Sequence, residues 1–236
     1  MKKLMAVVLI LTTGFFARAQ KTIVNDANAE KREVSGFTGI EVSGGIDIYL
    51  SQGNEDGIAV SATEKKYRDR IRTELKNGVL KIWFERDGIN WSGNRKLRVY
   101  ISFKDINLLH ASGSSDVYIT GILKAGNLSV TLSGSSDLKG VVDIENLRTH
   151  ISGASDITLN GRCGSLNIDA SGSSNFKDYG LVVQTCEAQA SGSSDVQVTV
   201  EKELNGSASG SSDIRIRGNG VIRKMHTSGN SSIKKA

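Results

Sequence analysis

Apolar and polar positions alternate in short bursts along the second half of the chain, and the bursts recur. Ahead of each Ser-Gly pair, apolar or small residues stand one and three positions upstream: Leu109 and Ala111, Val130 and Leu132, Ile168 and Ala170, Ala188 and Ala190. Behind it, apolar residues stand five and seven positions downstream: Val117 and Ile119, Ile157 and Leu159, Val196 and Val198, Ile214 and Ile216. A period of two is that of a strand with one buried face, so each burst predicts two short strands flanking a turn.

The turn itself repeats. Seven segments are alike: Ser112-Gly-Ser-Ser-Asp-Val117, Ser133-Gly-Ser-Ser-Asp-Leu138, Ser152-Gly-Ala-Ser-Asp-Ile157, Ser171-Gly-Ser-Ser-Asn-Phe176, Ser191-Gly-Ser-Ser-Asp-Val196, Ser209-Gly-Ser-Ser-Asp-Ile214 and Ser228-Gly-Asn-Ser-Ser-Ile233. Their first serines lie 21, 19, 19, 20, 18 and 19 residues apart. A near-constant spacing predicts a solenoid. Most repeats leave no room for a helix, and the Leu-x-x-Leu-x-Leu signature of leucine-rich repeats is missing. The expected fold is all-β: a single-chain, right-handed parallel β-helix with coils of about 19 residues stacked about 4.8 Å apart. The glycines, Gly134 among them, should mark a turn with positive φ or no space for a Cβ. By parity Ser115, Ser136, Ser155, Ser174, Ser194, Ser212 and Ser231 face inward. Their hydroxyls then need partners in one another or in the turn backbone.

Upstream the spacing is irregular. Ser43-Gly-Gly-Ile-Asp-Ile48 is a weaker eighth copy. Strands are expected over 40–50, 57–63, 79–85 and 97–103, with a helical turn over 64–70. The division is a signal peptide at 1–19, a flexible polar leader at 20–36, an irregular β region at 37–110 capping the solenoid, and the repeat β-helix at 111–236. The last copy has Ser232 in place of Asp and runs into Lys234 and Lys235, which would blunt the final sheet edge.

Residues 1–19 read as an export address. Lys2 and Lys3 precede an apolar run over 4–16 and then Ala17-Arg18-Ala19, a cleavage site. The run is shorter than the roughly 20 residues of a membrane span, though an uncleaved anchor is the alternative. Losing Lys2, Lys3 and Arg18 takes the net charge from +5 to +2. That leaves no electrostatic case for nucleic acid. The 38% hydrophobic content suits one large domain. Two Cys exclude a disulfide-dense scaffold and a four-thiolate zinc site.

The run Phe37-Thr-Gly-Ile-Glu-Val-Ser-Gly-Gly-Ile-Asp-Ile-Tyr-Leu50, then Asn77-Gly-Val-Leu-Lys-Ile82, then the Ser-Gly-Ser-Ser-Asp repeats, resembles the "putative auto-transporter adhesin, head GIN domain" family of exported proteins. The resemblance covers about residues 37–236. It implies a β-helical fold and an exported, surface-type location, and it supplies no catalytic residues.

Several constellations carry candidate chemistry. Asp116, Asp137, Asp156, Asp195 and Asp213 form an outward column, with Asn175 and Ser232 in the remaining coils. Like charges about 5 Å apart repel by about 0.8 kcal/mol even in water. Either each Asp caps turn amides, softened by Lys139, Lys177 and Arg215, or Ca²⁺ or another ligand sits between coils. His110, His150 and His226 share an outward column and are expected to be solvated. Cys163 and Cys186 are 23 apart, off the coil period. Perfect stacking would leave them beyond disulfide reach, whereas an oxidising compartment would favour a bond; a disulfide and two buried thiols both stay open. Ser-x-x-Lys at Ser136/Lys139, Ser174/Lys177 and Ser231/Lys234 lacks its β-lactamase partner motifs. Trp91 lies in a polar loop and is the aromatic most apt to stack on a sugar, whereas Trp83, Phe84 and Tyr100 suit the core.

The functional expectation is a non-enzymatic, adhesin-like binding or surface protein presenting Ser and Asp ladders, with a glycan or surface protein as partner. A structural or envelope-stress component is the alternative. A polysaccharide-active enzyme fits less well, because gaps of 18 to 21 residues leave no long loops to wall a cleft. No cofactor is expected beyond the Ca²⁺ alternative.

Overall fold

A computed structural model describes residues 26–86, 88 and 95–236. The expected signal peptide and Trp91 lie outside the described residues. The N-terminal elements are β1 (Glu30–Arg32), β2 (Gly39–Val42), β3 (Asp47–Gln52), β4 (Gly57–Ser61), α1 (Lys65–Arg68), β5 (Ile71–Lys76), β6 (Val79–Phe84) and β7 (Arg98–Phe103). The repeats supply β8 (Leu108–Ala111), β9 (Val117–Leu132), β10 (Asp137–Ile151), β11 (Asp156–Ala170), β12 (Asn175–Lys177), β13 (Leu181–Ala190), β14 (Asp195–Ala208), β15 (Asp213–Arg217), β16 (Val221–Thr227) and β17 (Ser232–Lys235).

From β8 onward every pairing is parallel and joins a strand to its equivalent one coil on, as in Leu138↔Ile157, Phe176↔Val196 and Ile214↔Ile233. The chain is a parallel β-solenoid. Its interior is one apolar stack that includes Val117, Leu138, Ile157, Phe176, Val196 and Ile214, all buried. Departures from the common period are local. The 21-residue spacing is absorbed by a register shift between Lys139 and Val141. There Gly121 turns with φ +81°, and a Cβ on Gly140 would lie 2.4 Å from Ile119 Cβ.

The turns hold the coils together. Gly113, Gly134, Gly153, Gly172, Gly192 and Gly210 all have φ between +76° and +81°. Each offers its carbonyl to the coil above: the amides of Ser135, Ala154 and Ser173 donate to Gly113, Gly134 and Gly153 at 2.8 Å. Below the glycines runs the serine ladder. Ser115, Ser136, Ser155, Ser174, Ser194 and Ser212 are wholly buried. The Ser136 hydroxyl donates to Ser133 O at 3.2 Å, closing its own turn, and accepts the amide of Ser115 at 3.2 Å. Ser155 Oγ likewise accepts the amide of Ser136 at 3.1 Å. Ser136 and Ser212 thus each join two turns, which meets the requirement that a buried polar group be paired.

The N-terminal region is threaded out of order. β2 lies between β6 and β8, and β3 between β7 and β9. The first coil in the chain is therefore the second in space. Beyond it the stack is closed by antiparallel strands: β5 on β6, β4 on β7, and β1 on β4. The β5–β6 hairpin turns at Asn77 and Gly78, both with positive φ, as a two-residue turn demands. The expected strand over 40–50 is broken at the turn before Asp47, and β5 is an additional strand. Within the polar leader segment, Glu30–Arg32 is paired as β1.

The disulfide alternative is corrected. Cys163 and Cys186 are both free and buried. Cys163 faces Val183, and Cys186 faces Leu166. The pair is slipped three positions along the strand, about 10 Å at strand rise.

Two substitutions test the turn ladders. A Cβ on Gly134 would lie 2.4 Å from Gly113 O at a φ of +80°. Gly134→Val is therefore expected to cost about 2–5 kcal/mol, read by denaturant unfolding. Ser136→Ala strands the Ser115 amide and should cost about 1–3 kcal/mol. Ser135→Ala, one residue away and exposed, should change stability by less than about 0.5 kcal/mol.

Candidate functional site

Two adjacent outward columns dominate one face. The first runs Arg98, Asp47, Asp116, Asp137, Asp156, Asn175, Asp195, Asp213, Ser232, each half-buried. The structure brings all five predicted aspartates into line and adds Asp47. Their charges are largely answered within the fold. The Asp137 amide donates to Asp116 Oδ1 at 3.2 Å, and Lys139 Nζ lies 2.9 Å from Asp137. Lys177 pairs with Asp156, and Arg215 with both Asp195 and Asp213. Asn175, which interrupts the aspartates, bridges its two neighbours. Asn175 Nδ2 donates to Asp156 Oδ1 at 2.7 Å while its carbonyl accepts the Asp195 amide. Ser232 Oγ donates to Asp213, and this bond holds the Asp213 carboxyl below the usual range. Asp47 goes the other way: burial first, then the neighbouring Asp116 charge, raise its pKa against the pull of Arg98.

The second column stands two residues further along each strand: Tyr100, Tyr49, Tyr118, Lys139, Thr158, Lys177, Gln197, Arg215, Lys234. Tyr49 is stacked between Tyr100 and Tyr118, with ring centroids 5.2 Å apart on both sides. Both faces of Tyr49 are thus covered by its neighbours, and all three side chains are half-buried. Tyr100 donates to Asp26 and Tyr118 to Asp116. The ladder was legible in one detail, since Tyr49 follows Asp47 by two residues as Tyr118 follows Asp116. It was hidden by the out-of-order insertion of the coil that carries Tyr49.

The histidine column is on the surface, with His150 Nδ1 3.1 Å from Asp169 Oδ2. The buried thiols are unreactive in kind: desolvation pushes Cys163 up to about 11 and Cys186 up to about 12. The serines of the Ser-x-x-Lys matches at Ser136 and Ser174 are buried and bonded to turn backbone. Among the described residues no three His, Cys, Asp or Glu side chains gather as a metal ion would need.

A concave furrow crosses successive coils on a different side. It arises where the strands bend and pairing passes over Glu145 and Gly164. A Cβ on Gly164 would lie 2.7 Å from Glu145 O, so the bend needs glycine. The furrow has a volume of about 730 Å³, and Gln52, Lys124, Asp143, Glu145, Arg162 and Gln184 contribute to its lining. Lys124, Asp143 and Arg162 alternate in sign along one column, and Arg162 lies 3.2 Å from Asp143. Gln52 braces one end, donating to the carbonyls of Lys104 and Lys124 and accepting the Lys124 amide. No sequence motif marked these residues, because they lie at a corner outside the repeated hexapeptide.

A regular parallel β-solenoid with its side chains ranked in surface columns and a furrow across the coils defines a repeat-built, all-β protein. Residues 36–220 match the family described as "Putative auto-transporter adhesin, head GIN domain", and the chain belongs to that family. Among solved structures, it is similar to a putative adhesin from Bacteroides fragilis, with a TM-score of 0.77 and 18% identity over 88% of this chain and 96% of that one. A putative adhesin from Parabacteroides merdae superposes with a TM-score of 0.69 and 18% identity, covering 88% of this chain and 95% of that one. A putative lipid binding protein from Parabacteroides distasonis gives 0.68 and 20%, covering 89% and 98%. At these identities the likeness is one of fold. No curated protein matches the chain.

The raised pKa of Asp47 fixes a sign. Above both its folded and unfolded values the carboxylate is ionised and its burial is destabilising; below the ordinary value of 3.8 it is protonated in both states and that cost vanishes. Asp47→Asn is therefore expected to raise the melting temperature at pH 7, and the gain should shrink as pH falls toward and below 3.8.

Proposed function

We propose that this protein is an exported, non-enzymatic binding module of the cell envelope that takes an extended polar polymer, a glycan chain, along the furrow. The observation that carries this is the furrow's course. It crosses coils rather than ending in a pocket, and it offers charged and amide groups at the coil spacing of about 4.8 Å, a repeating lining suited to a repeating ligand. The Asp column then plays a structural part, since its carboxylates already bond to lysine, arginine and turn amides. The family description supports an adhesin-type role. Among the described residues no helix is long and apolar enough to cross a membrane. The basic and apolar start of the chain supports export.

A second role, as a structural envelope component, is favoured by one observation: Tyr49 is sandwiched between two other tyrosine rings, so neither of its faces is free to stack on a sugar.

A glycan array probed with the purified protein, followed by titration of the best hit, separates the two. Binding weakened at least about tenfold by Asp143→Ala with Arg162→Ala, yet unchanged by Asp137→Asn, is the expected result. Absence of binding across acidic, neutral and amino-sugar polymers would overturn the proposal. Protease treatment of intact cells, with a periplasmic control protein, reports the side of the outer membrane on which the module works.

A further inference from the structure

Among the described residues, two exposed aliphatic side chains are neighbours on successive coils: Ile122, 54% exposed, and Val141, 38% exposed. They stand in register on β9 and β10, directly after the register shift that absorbs the 21-residue spacing. Exposed apolar residues scattered singly need no partner. These two adjoin each other, and they adjoin the furrow. Two residues further along the same strands, about 7 Å away by strand rise, stand Lys124 and Asp143 of its lining. Leu123 and Val142 lie between them and are buried, so the other four side chains share the outward side.

The ledge is small. A stable protein interface buries about 800 Å² on each partner, and a shallow membrane contact needs a continuous apolar face. Two aliphatic side chains supply neither, and they present no ring on which a sugar could stack. Their size and chemistry fit a methyl group. Beside them the furrow supplies a donor and an acceptor. Lys124 is exposed and has no ion-pair partner among the described residues. Asp143 spends one oxygen, Oδ2, on Arg162 at 3.2 Å and keeps the other.

We infer that the glycan taken by the furrow is built from N-acetylated amino sugars, and that the acetamido group of one sugar is seated against Ile122 and Val141. This rests on the furrow being a glycan site. An acetamido group carries a methyl, a carbonyl oxygen and an N–H on one small planar unit. The methyl loses its hydration against the ledge. The oxygen accepts from Lys124 Nζ, and the N–H donates to Asp143. A 6-deoxy sugar would bring a methyl without the amide. An O-acetyl ester would bring no N–H to Asp143, and a free amino sugar would leave the ledge wet.

The test compares two hexamers, one of β-1,4-linked N-acetylglucosamine and one of β-1,4-linked glucose, by isothermal titration. The N-acetylated hexamer is expected to bind at least about tenfold more tightly. Ile122→Thr with Val141→Thr keeps the β-branched shape that suits a strand. It should cut that preference to about threefold or less, with the affinity for the glucose hexamer unchanged. Val221→Thr, at an exposed aliphatic residue of β16, should leave the preference intact. In saturation-transfer NMR the acetyl methyl should be the most strongly saturated group of the ligand, and should cease to be so in the double variant. That signal decides where binding is too weak to titrate, and melting curves confirm that each variant is folded. Equal binding of the two hexamers, or a preference that survives in the folded double variant, overturns the inference. If neither hexamer binds while the array yields another glycan that Asp143→Ala with Arg162→Ala weakens, the furrow reading stands and this inference falls. If no glycan binds, both fall.

Discussion

Everything in this molecule hangs on the closeness of one turn to the next. A carbonyl of a left-handed glycine accepts an amide from the coil above at about 2.8 Å, and the next glycine sits where any Cβ would strike that carbonyl. The approach fixes the coil spacing. The spacing then brings each buried serine within reach of its neighbour's amide and sets the outward residues in columns. Surface chemistry is thus a consequence of a backbone constraint. A residue type chosen once per coil is displayed as a row.

Rows of identical charges are unfavourable, and the fold answers them from within the row. Lysine and arginine from the neighbouring column reach over the aspartates, and an asparagine serves as a bridge where a carboxylate would repel. The cost of display is therefore met locally, coil by coil. The furrow differs, because its groups belong to a bend at which the sheet pairing lapses. There Lys124, Asp143 and Arg162 stand one coil apart at a corner outside the repeated hexapeptide.

The solenoid was legible because its period is written in Ser-Gly-x-Ser seven times with little drift, and because alternation on either side could only be strand. The inward serines and outward aspartates followed from parity alone. What escaped lay outside the period. Gly164 looks like any loop glycine until the bend is seen. The Cys163–Cys186 question turned on a three-residue slip that depends on how one 20-residue coil absorbs its extra residue. The place of Tyr49 between two distant tyrosines needed the three-dimensional order of the coils, which the chain order does not reveal. Trp91, the aromatic singled out for sugar stacking, lies outside the described residues.

That inversion of order has a mechanical meaning. Because the coil at 39–52 is clasped between 79–103 and 108–120, it cannot peel away without parting strands on both of its sides. The C-terminal coils are laid down one after another and touch only their neighbours. A force applied at the last residue would unzip them singly, as a thread is drawn from a spool, until it met the clasped coil and stopped.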